Sequence, residues 1–489
     1  MGTGGLLVDV KAEAAKLLKD GRSLAQVRLE LESKGFSTDD VAAAISDASQ
    51  RSIDNRTVEE RHNSRLLASR EVLDRIGYGA ATPQFVNILF WLSQQSHPLI
   101  LPIIGLLNGL KTLLSVIWSS IMQEYSKLHR ISKNTIAATG VLFGFMFLFM
   151  AFGLLLRGTV GLIIFSASFL IGIIGVVAYG DLYQKFVRDT IRKERMGGFL
   201  RSIGTWGVLI TAITLLLSGY LIDLFPMAGT PWSFELFGNA YDVTVYGYLL
   251  AFEITAFAFI LAGYVSSQVT DKREPQKYGF WQFIRENHQI MKHKMAVFAD
   301  RHVMLLLLAT IVSGFLQIII TAYSGIAIYQ IFENYPWPFF TLAIVYSIAI
   351  IAAFTGPFFT QMIHRSTGLA PTLVFGSLLM AVLPLVLVYN PNIAAITAAL
   401  CVYVIGGAII GFAQGLLAQK ILPEESRQAY FQAQSFVIII PYIILIPLMA
   451  WSTMWLSLET LFLIVAAGMI VVVMPIYFIL VAISQRLKL

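Results

Sequence analysis

Two charged side chains lie deep inside long apolar stretches of the sequence. Lys111 and Glu253 interrupt runs of aliphatic and aromatic residues that otherwise carry no charge. An ionisable side chain in a membrane-length apolar segment is costly and is therefore a functional candidate. Glu253 is a candidate for ion coupling, and Lys111 is a candidate for selecting an anionic substrate. The alternatives are a hydrogen-bonded structural glutamate and a lysine whose long stem lets its ammonium reach the membrane surface.

Uncharged polar residues form a second group of candidates, because they recur at helical spacing within apolar stretches. One set lies at positions i, i+3 and i+10 and another at i, i+4 and i+7, so each set lies near one side of a helix. Polar side chains are costly against lipid, and we expect these sides to face protein or a water-filled cavity. The alternative is interhelical hydrogen bonding, worth about 0.6 kcal/mol for each bond. The candidate substrate-path residues are Gln84, Asn87, Gln94, Gln317, Thr321 and Ser324.

The composition places most of the chain in lipid. Of its 489 residues, 57% are hydrophobic and only 13% are charged, whereas soluble domains carry about 25% charged residues. The single cysteine, Cys401, excludes an internal disulfide. The histidines are scattered, and the sequence has no phosphate-binding loop and no paired-carboxylate pattern. We therefore expect no enzyme activity and neither a metal nor another cofactor.

Twelve apolar stretches are each near the roughly 20 residues that cross a bilayer as a helix. Polar residues interrupt the first of them, and the longest inner loop separates the sixth from the seventh. The pattern predicts an all-α membrane protein with twelve transmembrane helices in two six-helix bundles, preceded by N-terminal soluble helices. The predicted spans are residues 76–96, 98–119, 134–156, 159–180, 201–222, 243–266, 302–328, 338–360, 370–389, 393–416, 429–450 and 458–482.

The charges of the loops predict the orientation. If the N-terminus is inside, the inner loops and the C-terminal tail hold nearly all Lys and Arg of the membrane portion, and the outer loops hold only Arg157. Such a bias is typical of basic loops on the cytoplasmic side. We expect a multi-pass integral membrane protein of a prokaryotic inner or plasma membrane, with both termini in the cytoplasm. The expected partner of this basic chain is the lipid bilayer and not nucleic acid.

Residues 1–75 are polar and charged, and their pattern predicts short helices. Gly21-Arg-Ser23 and Gly35-Phe-Ser37 are breaks that each end in a residue favoured at helix N-termini. The pattern resembles a small three-helix module of the ubiquitin-associated type, which implies a cytoplasmic protein partner for this segment. Residues 267–301 carry aromatic and basic residues at helical spacing and predict a linker with a helix on the membrane surface.

Two loop stretches share a spacing that points to a known family. Ser120-Ile-Met-Gln-Glu124 precedes basic residues after the second span, and Gly356 opens the corresponding stretch after the eighth. Ser120 and Gly356 lie 236 residues apart, and Arg195 and Arg427 lie 232 apart, as parallel repeats of six spans require. Over residues 76–489 the chain resembles the major facilitator superfamily of secondary transporters.

The resemblance implies a function and a domain organisation. We expect bundles at residues 76–266 and 302–489 that rock about a central site and move a small-molecule substrate by alternating access. The alternatives are a transporter-like sensor or scaffold that uses residues 1–75, and a translocator of lipids or amphiphiles. The resemblance also implies a charged gate between the halves at the inner face, for which the alternative is a set of solvated loops. The inner-gate candidates are Glu124, Arg195, Glu424 and Arg427.

Overall fold

The computed structural model describes residues 24–128, 131–156, 158–191, 193–236, 239–270, 301–422 and 424–486, together with five residues between 10 and 17. Most of the linker predicted at 267–301 lies outside these residues. The described chain is almost entirely helical. Its helices are α1 Leu24–Ser33, α2 Thr38–Ala80, α3 Pro83–Ser93, α4 Ile100–Leu128, α5 Lys133–Leu155, α6 Gly158–Thr190, α7 Lys193–Leu224, α8 Gly247–Ser267, α9 Arg301–Phe332, α10 Pro338–Thr367, α11 Leu369–Tyr389, α12 Ile393–Ile421, α13 Glu424–Ser452, α14 Leu458–Ala467 and α15 Met474–Arg486.

Ten helical segments of the described chain are long and apolar enough to cross a membrane. They are α4 to α12 and the segment Leu458–Leu480, in which the π-helical turn Gly468–Val473 joins α14 to α15. The other two predicted spans take different forms. The first is divided between α2 and α3, and the eleventh is the 29-residue helix α13, in which the described apolar part is Val437–Ser452.

The first predicted span is a long helix followed by a short one. Thr82 caps α3 by accepting a hydrogen bond from the Phe85 N–H at 3.4 Å, and Pro83 occupies the first turn, where its missing N–H costs nothing. The preceding helix α2 is continuous from Thr38 to Ala80. It therefore runs through residue 75, the boundary that the sequence predicts between the N-terminal module and the first bundle.

The N-terminal residues have a small buried cluster of their own. Val27 and Leu31 of α1 pack with Val41 and Ala44 of α2, and Val10, Ala14 and Leu17 complete the cluster. Ser37 caps α2 by accepting a hydrogen bond from the Asp40 N–H at 3.2 Å. This cluster is separate from the two clusters that hold the membrane helices together.

The membrane helices form two halves, α2 to α8 and α9 to α15, which meet along α4 with α13, α7 with α10, and α3 with α9. Between α7 and α8 the chain forms an antiparallel hairpin of β1 Thr230–Leu236 and β2 Asn239–Val245, which the sequence analysis does not predict. We call the end of the bundle that carries this hairpin the hairpin end. The opposite end, where α5, α7 and α9 begin at Lys133, Lys193 and Arg301, is the basic end.

Helices within one half approach closely where both carry glycine. Gly140 of α5 faces Gly263 of α8, and a Cβ atom added at Gly263 would lie 2.8 Å from the Ala137 carbonyl oxygen. Without a hydrophobic driving force in lipid, such close packing is a main source of helix association. The crossing of α5 and α8 therefore depends on the absence of a side chain.

We expect the Gly263→Ala substitution to destabilise the protein by about 1–3 kcal/mol, because the added methyl group overpacks this crossing. The matched control is Gly407→Ala, since no heavy atom lies within 4 Å of the Cβ position there. Thermal unfolding of the purified protein in one detergent measures both variants. Equal midpoints for the two would contradict the observed packing of α5 against α8.

Candidate functional site

The two halves are joined near the hairpin end by the side-chain amide of Asn87. Its Nδ2 donates to the carbonyl oxygens of Thr321 and Ala322 in α9, at 3.2 and 3.4 Å. It also pairs with Asn108 of α4, whose Nδ2 donates to the Asn87 Oδ1 at 3.1 Å. Both asparagines are buried. Asn87 thus connects α3, α4 and α9 with bonds that water does not compete for.

A second junction between the halves depends on glycines of α4. Gly105 lies directly against the hydroxyl of Tyr323 in α9, and Gly109 lies against Ile446 of α13. The Tyr323 hydroxyl donates to the Leu101 carbonyl oxygen at 3.3 Å. A side chain at either glycine would separate α4 from the second half.

A third junction is formed by the carboxylate of Asp223, near the end of α7. It accepts hydrogen bonds from the N–H groups of Phe339 at 3.1 Å and of Phe340 at 2.7 Å. These N–H groups belong to the first turn of α10 and have no partner within their own helix. A carboxylate at a helix N-terminus is also favoured by the helix dipole. Asp223 therefore caps a helix of the other half, and beside it the ring of Tyr220 stacks on Trp337 at 5.6 Å.

The remaining predicted path residues have separate surroundings. Gln84 lies against Gly325 of α9. Gln94 is buried, and its Oε1 accepts from the Gly158 N–H at 2.9 Å, so it caps the start of α6. Gln317 Nε2 lies 3.8 Å from the Met380 sulfur. Among the predicted path residues, Asn87 contacts the backbone of Thr321. The side chains of Gln94 and Gln317 contact other parts of the protein.

Toward the basic end, the halves have fewer described contacts. Every hydrogen bond and ring contact that joins the halves between residues with described side chains lies in the middle or at the hairpin end. The helices α6 and α12 do not pack against each other over their described length. No heavy atom lies within 4 Å of the Cβ positions of Gly180 in α6 or of Gly407, Gly411 and Gly415 in α12. Among the described residues, the three glycines of α12 therefore make no close contact with another helix.

A buried ion pair lies within the first half. Arg70 of α2 is completely buried, and its Nη2 lies 3.2 Å from Oδ2 of Asp74. The guanidinium carbon lies 3.1 Å from the ring centroid of Tyr183 and 4.1 Å from that of Tyr179, and Nε donates to the Tyr179 hydroxyl. That hydroxyl donates to Asp74 at 3.1 Å. Arg70 and Asp74 thus bind α2 to α6 through charge, hydrogen bonds and cation–π contacts.

This pair is not among the residues predicted from the sequence, because Arg70 lies in a charged segment that precedes the first predicted span. A signal is nevertheless present in the sequence. Asn63, Leu67, Arg70, Asp74 and Gly77 recur at spacings of three and four, so they share one side of a helix. All five are buried. Charged residues on the same stripe as leucine and glycine indicate a buried pair and not a solvated loop.

The two charged side chains predicted within the spans, Glu253 and Lys111, differ in their surroundings. Glu253 lies six residues, or about 9 Å, after the start of α8 at Gly247. Its side of the helix is exposed and is shared with Phe257 and Leu261. Lys111 lies within α4 and is half-buried, and its ammonium is 6.0 Å from the ring centroid of Phe169 in α6.

The predicted inner gate is described only in part. Glu124 lies half-buried near the end of α4. The side chains of Arg195, Glu424 and Arg427 lie outside the described residues, so the gate stays a prediction. Among the described residues, no group of three or more His, Cys, Asp or Glu side chains is placed to hold a metal ion, and Cys401 is a free cysteine.

Solved structures with a similar fold are membrane transporters. The nucleoside transporter NupG aligns over 86% of this chain and 98% of its own, with 11% identity and a TM-score of 0.62. A D-xylose-proton symporter aligns over 84% and 96%, with 14% identity and a TM-score of 0.57. A bacterial homolog of the human lysosomal transporter Spinster, in an inward-facing and unoccupied conformation, aligns over 87% and 96%, with 13% identity and a TM-score of 0.52.

No protein-family model matches the sequence, and comparison with curated protein sequences finds no match. The structural similarity nevertheless covers nearly the whole length of each solved transporter. The fold is therefore that of the major facilitator superfamily, as the sequence pattern predicts. Together with its membrane-length helices, this fold makes the protein a multi-pass integral membrane protein.

Removing one member of the buried ion pair should destabilise the protein strongly. We expect Asp74→Asn and Arg70→Met each to cost about 3–5 kcal/mol, because the remaining polar partner is buried without its counterpart. The double substitution Arg70→Met with Asp74→Leu should be more stable than either single variant, because it leaves no uncompensated charge. Thermal midpoints give all three values, with the exposed Arg65→Met as control. Single effects that simply add would show that the two side chains are not coupled.

The Asp223→Ala substitution should open the hairpin end. Loss of charge-assisted hydrogen bonds worth about 1.5–3 kcal/mol corresponds to a 10-fold or larger shift in the equilibrium between closed and open forms. The measurement is the labelling rate of Ser324→Cys by a membrane-impermeant maleimide, in a Cys401→Ser background. Asp223→Asn, which keeps one acceptor oxygen, should give an intermediate rate. Glu333→Ala removes an exposed carboxylate at the same end and should leave the rate unchanged; equal rates for Asp223→Ala and Glu333→Ala would rule out this role.

Proposed function

We propose that this protein is a secondary active transporter that moves a small organic solute across the membrane by alternating access. The observation that carries the proposal is the one-sided junction of the halves. Asn87, Tyr323 and Asp223 join them at or near the hairpin end, while α6 and α12 do not pack against each other. Two bundles closed at one end and apart at the other expose a path to one side of the membrane.

The charges of the loops support an orientation for this arrangement. The basic end carries Lys133, Lys193 and Arg301 at the starts of helices, and basic loops favour the cytoplasmic side. Both termini are then cytoplasmic, in a prokaryotic inner or plasma membrane, and the conformation is inward-facing. The similarity to a transporter homolog whose structure is inward-facing supports the same assignment.

The contacts at the hairpin end are of a kind that can separate and form again. They comprise a few directional hydrogen bonds and glycine surfaces, and no ion pair between described residues joins the halves. Rocking the bundles 76–266 and 302–489 would free the amide of Asn87 and the carboxylate of Asp223 for solute or water. The proposed inner gate of Glu124, Arg195, Glu424 and Arg427 would then close the cytoplasmic side.

The solute path runs between the two halves. Gln84, Asn87, Gln317, Thr321 and Ser324 are proposed to line it at different stages of the cycle, because their helices α3 and α9 face each other across the junction. Gln94 is proposed to hold α3 to α6, given its bond to the start of that helix. The closed end of the proposed path is therefore at the hydrogen bond between the Asn87 amide and the backbone of α9.

Asp74 is the carboxylate best placed for coupling transport to a proton gradient. It is buried, its carboxylate lies beside the Arg70 guanidinium, and it accepts a hydrogen bond from the Tyr179 hydroxyl. Glu253, in contrast, lies on an exposed apolar stripe near the hairpin end, away from this network. A change of charge at Asp74 would alter the attachment of α2 to α6.

Uptake into proteoliposomes tests the transport function. The protein should give saturable flux of at least one solute from a broad radiolabelled panel, and an inward proton gradient should drive its accumulation. Asp74→Asn should abolish the effect of the gradient and keep solute exchange, because exchange needs no net proton movement. Glu253→Gln is the matched control and should behave as the original protein does. Absence of saturable flux over the panel would contradict transport, and loss of gradient dependence in Glu253→Gln alone would assign coupling to Glu253.

The N-terminal cluster supports a second candidate function, a membrane sensor or scaffold with a cytoplasmic protein partner. Residues 10–44 have a buried core that is independent of the membrane helices. Deletion of residues 2–50 separates the two functions, since it removes this core and spares the membrane-embedded part of α2. A transporter should keep its flux, whereas a scaffold should lose its cellular function. Translocation of a lipid or amphiphile is tested by including such molecules in the panel.

A further inference from the structure

Lys111 is a cationic side chain near the middle of a membrane helix with no acidic partner. Apart from the ring of Phe169, 6.0 Å from its ammonium, no ion pair or hydrogen bond joins it to a described residue. The next polar residues along its own helix are already engaged. Asn108 pairs with Asn87, and Thr112 donates to the Asn108 carbonyl oxygen at 3.1 Å.

The position of Lys111 does not allow its ammonium to reach the membrane surface. It lies eleven residues from the start of α4 and seventeen from its end, or about 16 and 25 Å along the helix axis. Both distances exceed the length of a lysine side chain. The side chain also extends toward Phe169 of the neighbouring helix α6. Lys111 therefore remains in the interior of the first half.

A second unsatisfied polar group lies close by on α6. The hydroxyl of Ser166 is buried and has no hydrogen-bond partner. Ser166 precedes Phe169 by three residues, so the two side chains are neighbours on the helix surface. An ammonium and an orphaned hydroxyl thus flank the same aromatic ring. Buried polar groups are nearly always paired in folded proteins, so these two groups beside one ring are candidates to bind a polar ligand.

The side of α6 that carries Phe169 is open nearer the basic end. Gly180 follows Phe169 by eleven residues, three helical turns, and so lies on the same side of the helix nearer the basic end. No heavy atom lies within 4 Å of the Cβ position of Gly180. A solute that enters from the basic end therefore meets open α6 surface at Gly180, on the side of the helix that carries Phe169.

We propose that Lys111 and Ser166 bind the oxyanion of the transported solute, a carboxylate or a phosphate ester, and that Phe169 packs against its apolar part. The proposal rests on the transport function proposed above and assigns its substrate class. Lysine is a compact charge with three donors, and the serine hydroxyl supplies one more, so together they can bind the oxygen atoms of one anionic group. The anionic group of the solute supplies a partner for the Lys111 charge within the membrane-spanning part of α4.

Binding to the full-length protein in nanodiscs tests the proposal without any flux. Calorimetric titration with benzoate, phenyl phosphate and neutral benzamide should give an affinity at least about 10-fold higher for one of the anions than for the amide, a difference typical of one charge-assisted contact. Lysophosphatidate in the nanodisc competes with the anion if the natural source is a lipid headgroup, and has no effect if the source is a soluble solute.

Lys111→Met should abolish the preference for the anion, and Ser166→Ala should reduce it. Lys111→Arg should retain it, which separates loss of charge from loss of folding. Lys133→Met, at the start of α5, is the matched control and should bind as the original protein does. Equal affinity for benzoate, phenyl phosphate and benzamide, or an unchanged preference in Lys111→Met, would overturn the proposal. Anion-selective binding without saturable flux would support this site and refute transport. Flux of neutral solutes that does not depend on Lys111 would support transport and refute this site.

Discussion

The lack of water in the interior of a bilayer is the constraint on which this structure depends. Every buried polar atom must find its partner in the protein, and helices must associate without a hydrophobic force between them. The chain meets the first demand with local networks such as Asn87 with Asn108, and with caps such as Gln94 on the start of α6. It meets the second by placing glycine at crossings, as between α5 and α8.

Polar networks and glycine crossings differ in strength within a half and between the halves. Arg70 and Asp74 lie inside one half, where a buried ion pair and two tyrosine rings make separation of α2 from α6 costly. The junction between the halves uses neutral amides, one carboxylate on two backbone N–H groups and bare glycine surfaces. Each of these contacts is weak enough to break singly. Among the described residues, the buried ion pair therefore lies within a half, and the weaker contacts lie between the halves.

Much of the fold follows from hydropathy alone, because lipid imposes one rule on every span. Ten of the twelve predicted spans appear as membrane-length helices. The first span departs from the prediction, since its charged beginning is stabilised by partners on α6 that lie more than 100 residues away. The β1–β2 hairpin is not predicted from hydropathy, because the pairing of its strands does not depend on burial in lipid. Asn87 was selected by its polarity, whereas Asp223, at the end of an apolar helix, acquires its role only through the first turn of α10.

The continuity of α2 has a mechanical consequence. Its 43 residues span about 64 Å as a single helix, with the N-terminal cluster at one end and the Arg70–Asp74 pair near the other. Because α2 is one continuous helix, it connects the cluster to the first half as a stiff rod and not as a flexible linker. A rotation of the first half would therefore displace the N-terminal cluster. In the same way, a force on that cluster would exert a torque on the first half.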